Sequence, residues 1–343
     1  MKTVYTDRHR LRDAKSELVG GRLVPPFECP RRAELIFARI RERGLGEIVP
    51  PAEHGLDPVR RVHDEGYLRF LETIWEDWKA AGHEGEAIPT VWPSRAMPRM
   101  IVPRDVEGRL GYYALAAETS IAEGTWEAAR AAADVALTAA SLVAEGARAA
   151  FALCRPPGHH AARDMYGGYC FLNNAAIAAE ALRGRGAERV AVLDVDFHHG
   201  NGTQAIFYER ADVLFLSLHG DPVDAFPNYL GHADECGAGP GEGFNVNYPL
   251  PPGTAFDRWS EALEDACRRI VAYRPDVLVV SLGVDTFKED PISFFRLESE
   301  DFRRYGARLA CLGLPTLFVM EGGYAVEAIG VNTVNVLEGF EDG

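Results

Sequence analysis

The sequence has 343 residues, and its 36 lysines and arginines against 51 aspartates and glutamates give a formal net charge of −15. Hydrophobic residues make up 47% of the chain and charged residues 25%, the proportions of an ordinary globular protein, so disordered, collagen-like and coiled-coil classes are excluded. Because binding to nucleic-acid phosphates needs lysine and arginine, the acidic balance argues against a nucleic-acid partner and favours a cationic ligand.

The 6 cysteines are scattered without a CxxC pair, so we expect no disulfide framework in a chain that can build its own core. The N-terminal sequence MKTVYTDRHR is charged from its second residue and lacks the apolar segment of a signal peptide. No stretch approaches the roughly 18 apolar residues that cross a membrane. These features predict a cytoplasmic protein with no membrane partner.

Residues 82–108 form the first distinctive segment in chain order. Their prolines exclude a helix and disfavour an interior strand, which predicts a long loop. Several of its side chains are too apolar for a typical disordered linker, namely Trp92, Met97, Met100 and Ile101. We therefore predict an inserted loop that contacts a partner or acts as a lid, with an excursion over the surface as the alternative.

Further along the chain, from about residue 127, helical patterns alternate with short apolar runs at 149–154, 190–197, 213–218, 277–284 and 316–320. These runs alternate little between polar and apolar residues, as strands covered on both faces do. Helical segments such as 174–183 and 259–273 separate them. The order predicts an α/β protein, a single domain over residues 1–343 with a mostly parallel, doubly wound sheet flanked by helices.

The glycine-rich residues 237–243 superficially suggest phosphate binding. They follow no clear strand and open no helix, however, so they predict a flexible loop instead.

Polar residues lie near or just after the ends of all these apolar runs, where ligands bind in open parallel sheets. In chain order they are Arg155, His159 and His160; Asp194, Asp196, His198, His199 and Asn201; His219 and Asp221; Asp285; and Glu321 and Tyr324. Their shared position predicts one functional site at the carboxyl edge of the sheet.

Asp194, Asp196 and His198 occupy alternate positions, so in an extended chain their side chains share one face. Two carboxylates on a buried face repel each other and lose hydration unless a cation compensates them. One imidazole with carboxylates suits Zn²⁺, Fe²⁺ or Co²⁺, and the lack of thiolates argues against a structural zinc site. Asp285 is the candidate third ligand, which leaves a position open for water and substrate.

The remaining polar groups fit a metal-assisted hydrolase. His159 and His160 are candidates to take the proton of a water molecule and to protonate a leaving amine, with Asp194 and Asn201 orienting them. Tyr324 follows two glycines that let the backbone turn, so that its phenol can donate a hydrogen bond to an oxyanion.

Six motifs together resemble the arginase–deacetylase fold and, within it, the zinc-dependent histone deacetylase superfamily. They are RPPGHHA (155–161), GGYCFLNNAA (167–176), DVDFHHGNGTQ (194–204), SLH (217–219), SLGVDTF (281–287) and EGGY (321–324). In the N-terminal half, LRDAKSEL, GGRLVPPFE and DVEGRLGYY, together with the proline-rich loop, are similar to the bacterial acetylpolyamine amidohydrolases of that superfamily.

The resemblance implies a role for each matching position. It implies a zinc site of Asp196, His198 and Asp285, one ion per chain. It implies that His160 with Asn201 is the general base and acid, that His159 with Asp194 is its electrostatic partner, and that Tyr324 stabilises the tetrahedral intermediate. It also implies a structural potassium ion held at Asp194, Asp196, His198, Ser217 and Leu218.

The same resemblance implies the substrate and the assembly. Tyr169 and Phe226 match the aromatic walls of an acyl-chain channel, and their alternative role is core packing. Glu17 and Glu107 match acidic residues that receive the distal ammonium group of an acetylated polyamine. Glu107 then reaches across a homodimer interface that the loop 82–108 builds. The expected substrate is a small cation such as acetylputrescine, acetylcadaverine or acetylspermidine.

Three alternative functions stay open. A protein acetyl-lysine deacetylase of the same superfamily would use the same site. A ureohydrolase with two manganese ions needs more aspartate and histidine ligands at the strand ends than the sequence places there. A non-catalytic module that binds acyl-polyamines would not need the full set of catalytic residues.

Overall fold

A computed structural model describes residues 1–94 and 101–343 of the chain. The strands in this part are β1 (Lys2–Val4), β2 (Glu17–Val19), β3 (Arg22–Val24), β4 (Ile48–Val49), β5 (Ala149–Ala152), β6 (Val190–Asp194), β7 (Val213–Gly220), β8 (Asn245–Leu250), β9 (Val277–Leu282) and β10 (Thr316–Met320). The helices are α1 (Pro30–Arg43), α2 (Asp57–Arg60), α3 (Glu65–Ala80), α4 (Val106–Tyr112), α5 (Thr125–Ala144), α6 (Asn174–Gly184), α7 (Asn201–Phe207), α8 (Phe256–Tyr273), α9 (Ser299–Ala310) and α10 (Val326–Asp342).

Eight of the described strands form one sheet in the order β4-β1-β5-β10-β9-β6-β7-β8, and every neighbouring pair in it is parallel. The short strands β2 and β3 form a separate antiparallel hairpin. The five apolar runs that the sequence predicts as strands are the adjacent strands β5, β10, β9, β6 and β7. The predicted α/β fold with a mostly parallel sheet is therefore confirmed.

Helices bury both faces of this sheet. On β9, Val277 and Val279 belong to a hydrophobic cluster with the alanine-rich helices α5 and α6, whereas Leu278 and Val280 pack with residues of α8, α9 and α10. Successive side chains of a strand point to opposite faces, so this division means that the sheet is covered on both sides. Because both faces of the sheet are buried, polar and apolar residues do not alternate along its central strands.

The segment predicted as a long loop is helical at its end. Helix α4 begins at Val106, inside the predicted range, because the Asp105 side chain caps it by accepting a hydrogen bond from the Gly108 N–H at 2.9 Å. Met97 and Met100, which entered that prediction, lie outside the described residues.

The described residues contain no helix long and apolar enough to span a membrane. The glycine-rich residues 237–243 make turns around one short 3₁₀ segment, Gly239–Gly241, and lead into the edge strand β8.

Candidate active site

The residues that follow the central strands surround a cavity of about 270 Å³ at the carboxyl edge of the sheet. Aromatic rings line much of it, contributed by Tyr169, Phe197, Phe226, Phe294 and Tyr324. His160 and His198 also reach the cavity, and Glu118 and Asp224 add two carboxylates. The described lining residues include no lysine or arginine, so the cavity has the electrostatic character of a cation-binding site.

Asp196, His198 and Asp285 form a buried cluster beside this cavity. One potential ligand atom from each lies within 4.8 Å of the others. Backbone groups hold the two carboxylates of this cluster in place. Asp196 accepts a hydrogen bond from the Gly322 N–H at 2.7 Å, and Asp285 accepts one from the Phe197 N–H at 2.7 Å. Two buried carboxylates with one imidazole are a donor set that fits a divalent transition-metal ion.

The backbone after β6 turns because of its own aspartates. The Asp194 carboxylate accepts a hydrogen bond from the Asp196 N–H at 3.1 Å, and the Asp196 carboxylate accepts one from the His198 N–H at 2.9 Å. Such bonds from a side chain to the backbone two residues on favour turns over strands. The predicted continuation of the strand to residue 197 is therefore wrong. Asp194 points to His159, whereas Asp196 and His198 lie with Asp285.

His159 and His160 lie side by side, with ring centroids 4.1 Å apart, and each has its own partner. The His159 Nδ1 atom lies 2.9 Å from an Asp194 carboxylate oxygen, and the His160 Nδ1 atom lies 2.7 Å from the Asn201 amide oxygen. Because an amide oxygen only accepts, Nδ1 of His160 carries a proton and Nε2 is left as a base when the ring is neutral.

Their surroundings separate the acid–base properties of these two histidines. Burial lowers the pKa of His159, but the charges of Asp194 and Asp196 outweigh that effect and raise it to about 10. Burial, followed by the positive charges of His159 and His198, holds the pKa of His160 well below its usual value. His159 is therefore the cationic ring of the pair. His160 is the neutral ring, and the neutral form is the one that can accept a proton.

Tyr324 reaches the cavity from a turn that needs glycine. A Cβ atom on Gly322 would lie 2.5 Å from carboxylate oxygens of both Asp196 and Asp285, so no larger residue fits there. Gly323 has a φ of 127°, a conformation that favours glycine. Burial raises the pKa of the Tyr324 phenol well above its usual value, which keeps the hydroxyl protonated as a hydrogen-bond donor.

The residues predicted to hold potassium lie at the ends of neighbouring strands. Asp194 on β6 and Ser217 on β7 are directly paired in the sheet, and Leu218 follows Ser217. The Ser217 hydroxyl lies 3.0 Å from Nδ1 of His199 and 2.8 Å from Nδ1 of His219. Potassium binding at this place stays a prediction.

Two predicted substrate residues, Tyr169 and Phe226, line the cavity, and two others do not. Glu17 is buried behind Tyr169, since its carboxylate accepts hydrogen bonds from the Tyr169 hydroxyl at 2.8 Å and from the Phe27 N–H at 3.0 Å. Glu107 is exposed, with its carboxylate 3.7 Å from Nε2 of His83. In this chain Glu17 therefore lies behind a cavity wall, and contact of Glu17 and Glu107 with the substrate's ammonium group stays a prediction.

Two carboxylates that do line the cavity, those of Glu118 and Asp224, were not predicted from the sequence. Glu118 is isolated in the sequence and reaches the site because its Oε1 atom accepts a hydrogen bond from the Gly168 N–H at 2.9 Å. Asp224 lies two residues before Phe226, and that proximity was the only signal that could have identified it.

Comparison with known proteins is consistent with this site. Residues 26–340 match the histone deacetylase domain, so the chain belongs to the histone deacetylase family and is a hydrolytic deacetylase. At a finer level, the chain is 57% identical over 340 residues to an acetylpolyamine amidohydrolase of Mycoplana ramosa, covering 99% of both chains. It is 58% identical over 341 residues to acetylpolyamine amidohydrolase 2 of Pseudomonas aeruginosa, with 99% of each chain covered.

A solved structure shows the same similarity in three dimensions. The crystal structure of an acetylpolyamine aminohydrolase from Burkholderia pseudomallei superposes with a TM-score of 0.95 at 42% sequence identity. The match covers 99% of this chain and 98% of that one.

Proposed function

We propose that the protein hydrolyses the amide bond of acetylated polyamines and releases acetate and the free amine. The observation that carries this proposal is the aromatic cavity, which has a buried metal-binding cluster beside it, two carboxylates in its lining and no lysine or arginine among its described lining residues. A slender cation matches such a cavity in shape and charge. The names of the full-length relatives support the same substrate class.

Asp196, His198 and Asp285 are the residues that would hold the metal ion, with zinc as the proposed ion and Fe²⁺ or Co²⁺ as alternatives. A divalent ion bound there lowers the pKa of a water molecule and polarises a carbonyl oxygen. The backbone N–H groups of Phe197, His198 and Gly322 hold the two carboxylates in place, so the carboxylates need little reorganisation when the ion binds.

The neighbouring side chains move the protons. Nε2 of His160 accepts a proton from the attacking water and donates it to the leaving amine, while Asn201 holds Nδ1. Burial, followed by the positive charge of His159 that Asp194 balances, keeps His160 in its neutral, proton-accepting form before the reaction. The Tyr324 hydroxyl donates a hydrogen bond to the carbonyl oxygen as negative charge develops on it.

The remaining parts of the proposal concern substrate contact and assembly. Tyr169 and Phe226 contact the alkyl chain of the substrate from the cavity wall. Potassium at Asp194, Asp196, His198, Ser217 and Leu218, a homodimer built through residues 82–108, and a cytoplasmic localisation stay predictions.

Turnover measured side by side tests the proposed substrate class. Zinc-reconstituted protein is offered acetylputrescine, acetylcadaverine, acetylspermidine and an acetyl-lysine peptide, and release of acetate is followed. We expect kcat/KM to be at least about tenfold higher for the small amines, because their distal ammonium group interacts with the two carboxylates of the cavity lining. A preference for the peptide would instead support the protein deacetylase alternative.

The Tyr324→Phe variant is the control for catalysis in that experiment. A hydrolase loses most of its turnover while it keeps its affinity for substrate, because the phenol acts chiefly in the transition state. If Tyr324→Phe and the wild type released acetate at the same slow rate, the activity would come from a contaminant and the protein would be a binding module.

A further inference from the structure

The turn that follows β7 presents one carboxylate to the active-site cavity in a fixed position. The Asp221 carbonyl oxygen accepts hydrogen bonds from the N–H groups of both Asp224 and Ala225, each at 2.9 Å. The Asp221 carboxylate accepts a further bond from the Val223 N–H at 3.1 Å, and the Asp221 N–H donates to the Leu250 carbonyl of β8 at 2.8 Å. Asp224 therefore projects from a turn that is tied to the sheet.

The residues next to Asp224 connect this turn to the catalytic histidines. Ala225 is buried, and the Phe226 ring packs edge-on against the His160 ring, with centroids 5.1 Å apart. Asp224 itself is exposed while it lines the cavity. It thus lies at the solvent side of the same wall whose inner part is formed by Phe226.

The Asp224 carboxylate is free to interact with a ligand. Within residues 1–94 and 101–343 it makes no hydrogen bond to a side chain or backbone group and no ion pair. Glu118, the other lining carboxylate, is already engaged, because its Oε1 atom accepts bonds from the Gly168 N–H at 2.9 Å and the Thr119 hydroxyl at 3.0 Å. The two come from different loops, one beside Tyr169 and the other beside Phe226.

We propose that Asp224 is a specificity-determining residue that receives the distal ammonium group of the substrate at the rim of the cavity, on the wall formed by Phe226. This inference rests on the proposed function, and Asp224 lies outside the sequence motifs that support that function. Glu118 and Asp224 then flank the alkyl chain with negative charge from two loops, so an acyl-amine with a second, positively charged nitrogen is selected over a neutral one.

The position of Asp224 decides which kinetic constant it controls. The distal ammonium group carries the same charge in the ground state and in the transition state. An interaction with it is uniform binding, which lowers KM and leaves kcat unchanged. A residue that acted only by shaping Phe226 and His160 would change kcat instead.

Asp224→Asn is the test variant, since it removes the charge and keeps the size. Two substrates of equal length are compared, acetylputrescine and N-pentylacetamide, in which a methyl group replaces the ammonium. We expect KM for acetylputrescine to rise about three- to tenfold with kcat unchanged, the effect of losing one partly exposed charge pair. Turnover of N-pentylacetamide should stay as in the wild type, and Asp224→Glu should restore most of the difference.

Asp234→Asn is the matched control, because Asp234 is an exposed aspartate that follows in the same stretch of chain and does not line the cavity. If the wild type prefers acetylputrescine to N-pentylacetamide and Asp224→Asn keeps that preference, the role of Asp224 is overturned while the proposed function stands. If the wild type hydrolyses an acetyl-lysine peptide better than acetylputrescine, the proposed function fails, and the inference about Asp224 fails with it.

Discussion

Arg32 joins helix α1 to the turn that carries Tyr324. Its guanidinium group donates to the carbonyl oxygens of Glu321 and Gly323, both at 2.6 Å, and to the Glu28 carboxylate at 3.1 Å. It also lies over the Tyr324 ring, 4.8 Å from the centroid. A planar fork can hold two carbonyls in this way and a lysine ammonium cannot, so Arg32 fixes the direction of the phenol.

We predict that Arg32→Lys lowers kcat about 10- to 100-fold and changes KM little, because a phenol displaced by about 1 Å stabilises the oxyanion poorly. The measurement is steady-state kinetics in the wild-type and Tyr324→Phe backgrounds. If Arg32 acts through the phenol, the substitution has little further effect on kcat once that phenol is absent.

Arg12→Lys is the control for a loss of stability. Arg12 is as buried as Arg32, but its guanidinium group donates to the Ser120 carbonyl and the Thr125 hydroxyl instead of the Tyr324 turn. An equal fall in kcat for the Arg12 and Arg32 variants, or full additivity of Arg32→Lys with Tyr324→Phe, would contradict a positioning role for Arg32.

At the scale of an element, His219 closes the loop that carries Asp224 and Phe226. Its Nδ1 atom lies 2.8 Å from the Ser217 hydroxyl and its Nε2 atom lies 2.8 Å from the Gly231 carbonyl oxygen. Burial lowers the pKa of His219 to about 4, so the ring is neutral at pH 7, with Nε2–H donating to Gly231 and Nδ1 accepting from Ser217. One side chain thus joins the end of β7 to the far end of the loop.

We predict that His219→Phe loosens this loop, because the Gly231 carbonyl loses its buried partner at a cost of about 1–3 kcal/mol, and the Ser217 hydroxyl keeps only His199 as a partner. Hydrogen exchange followed by mass spectrometry should show faster exchange in residues 221–231, whereas helix α5 on the other side of the sheet keeps its protection. Unchanged exchange in the loop would mean that the turn at Asp221 is sufficient to hold it.

The elements differ in how much of them could be predicted from the sequence. The central strands could be predicted, since their continuous apolar runs reflect burial on both faces. The strands β1 and β4 were missed because three and two residues are too few to show a pattern. The edge strand β8 was missed because Asn245 and Asn247 alternate with other residues, and their side-chain amides donate to the Gln204 amide oxygen.

The residues of the candidate site also differ in how far they could be predicted from the sequence. The segments that follow buried strands contain His159, His160, Asp196, His198 and Asp285, so the sequence alone indicates that they gather at one edge. The contacts of Arg32 join residues about 290 positions apart, and those of Glu118 and Gly168 join two loops. Nothing local in the sequence marks such contacts, because they arise only when the elements pack.

Over the whole molecule, buried histidines link stability to pH. The clearest lies outside the active site, where the His63 Nδ1 atom is 2.8 Å from the Ala162 carbonyl oxygen and its Nε2 atom accepts a hydrogen bond from the Asn173 N–H at 2.9 Å. Burial lowers the pKa of His63 to about 4, and protonation of Nε2 would also turn an acceptor into a donor facing the Asn173 N–H. The folded protein therefore holds His63 neutral, whereas the unfolded chain binds a proton near pH 6.5.

Between about pH 6.5 and 4 the unfolded state binds one more proton than the folded state at this residue, so the free energy of unfolding falls on acidification by about 1.4 kcal/mol per pH unit. We predict that His63→Gln reduces the steepness of this fall, because the glutamine amide can donate to Ala162 and accept from Asn173 but does not titrate. Urea unfolding of the metal-saturated protein at several pH values measures the slope. Equal slopes for wild type and His63→Gln would mean that His63 is protonated in the folded protein or is not buried in solution.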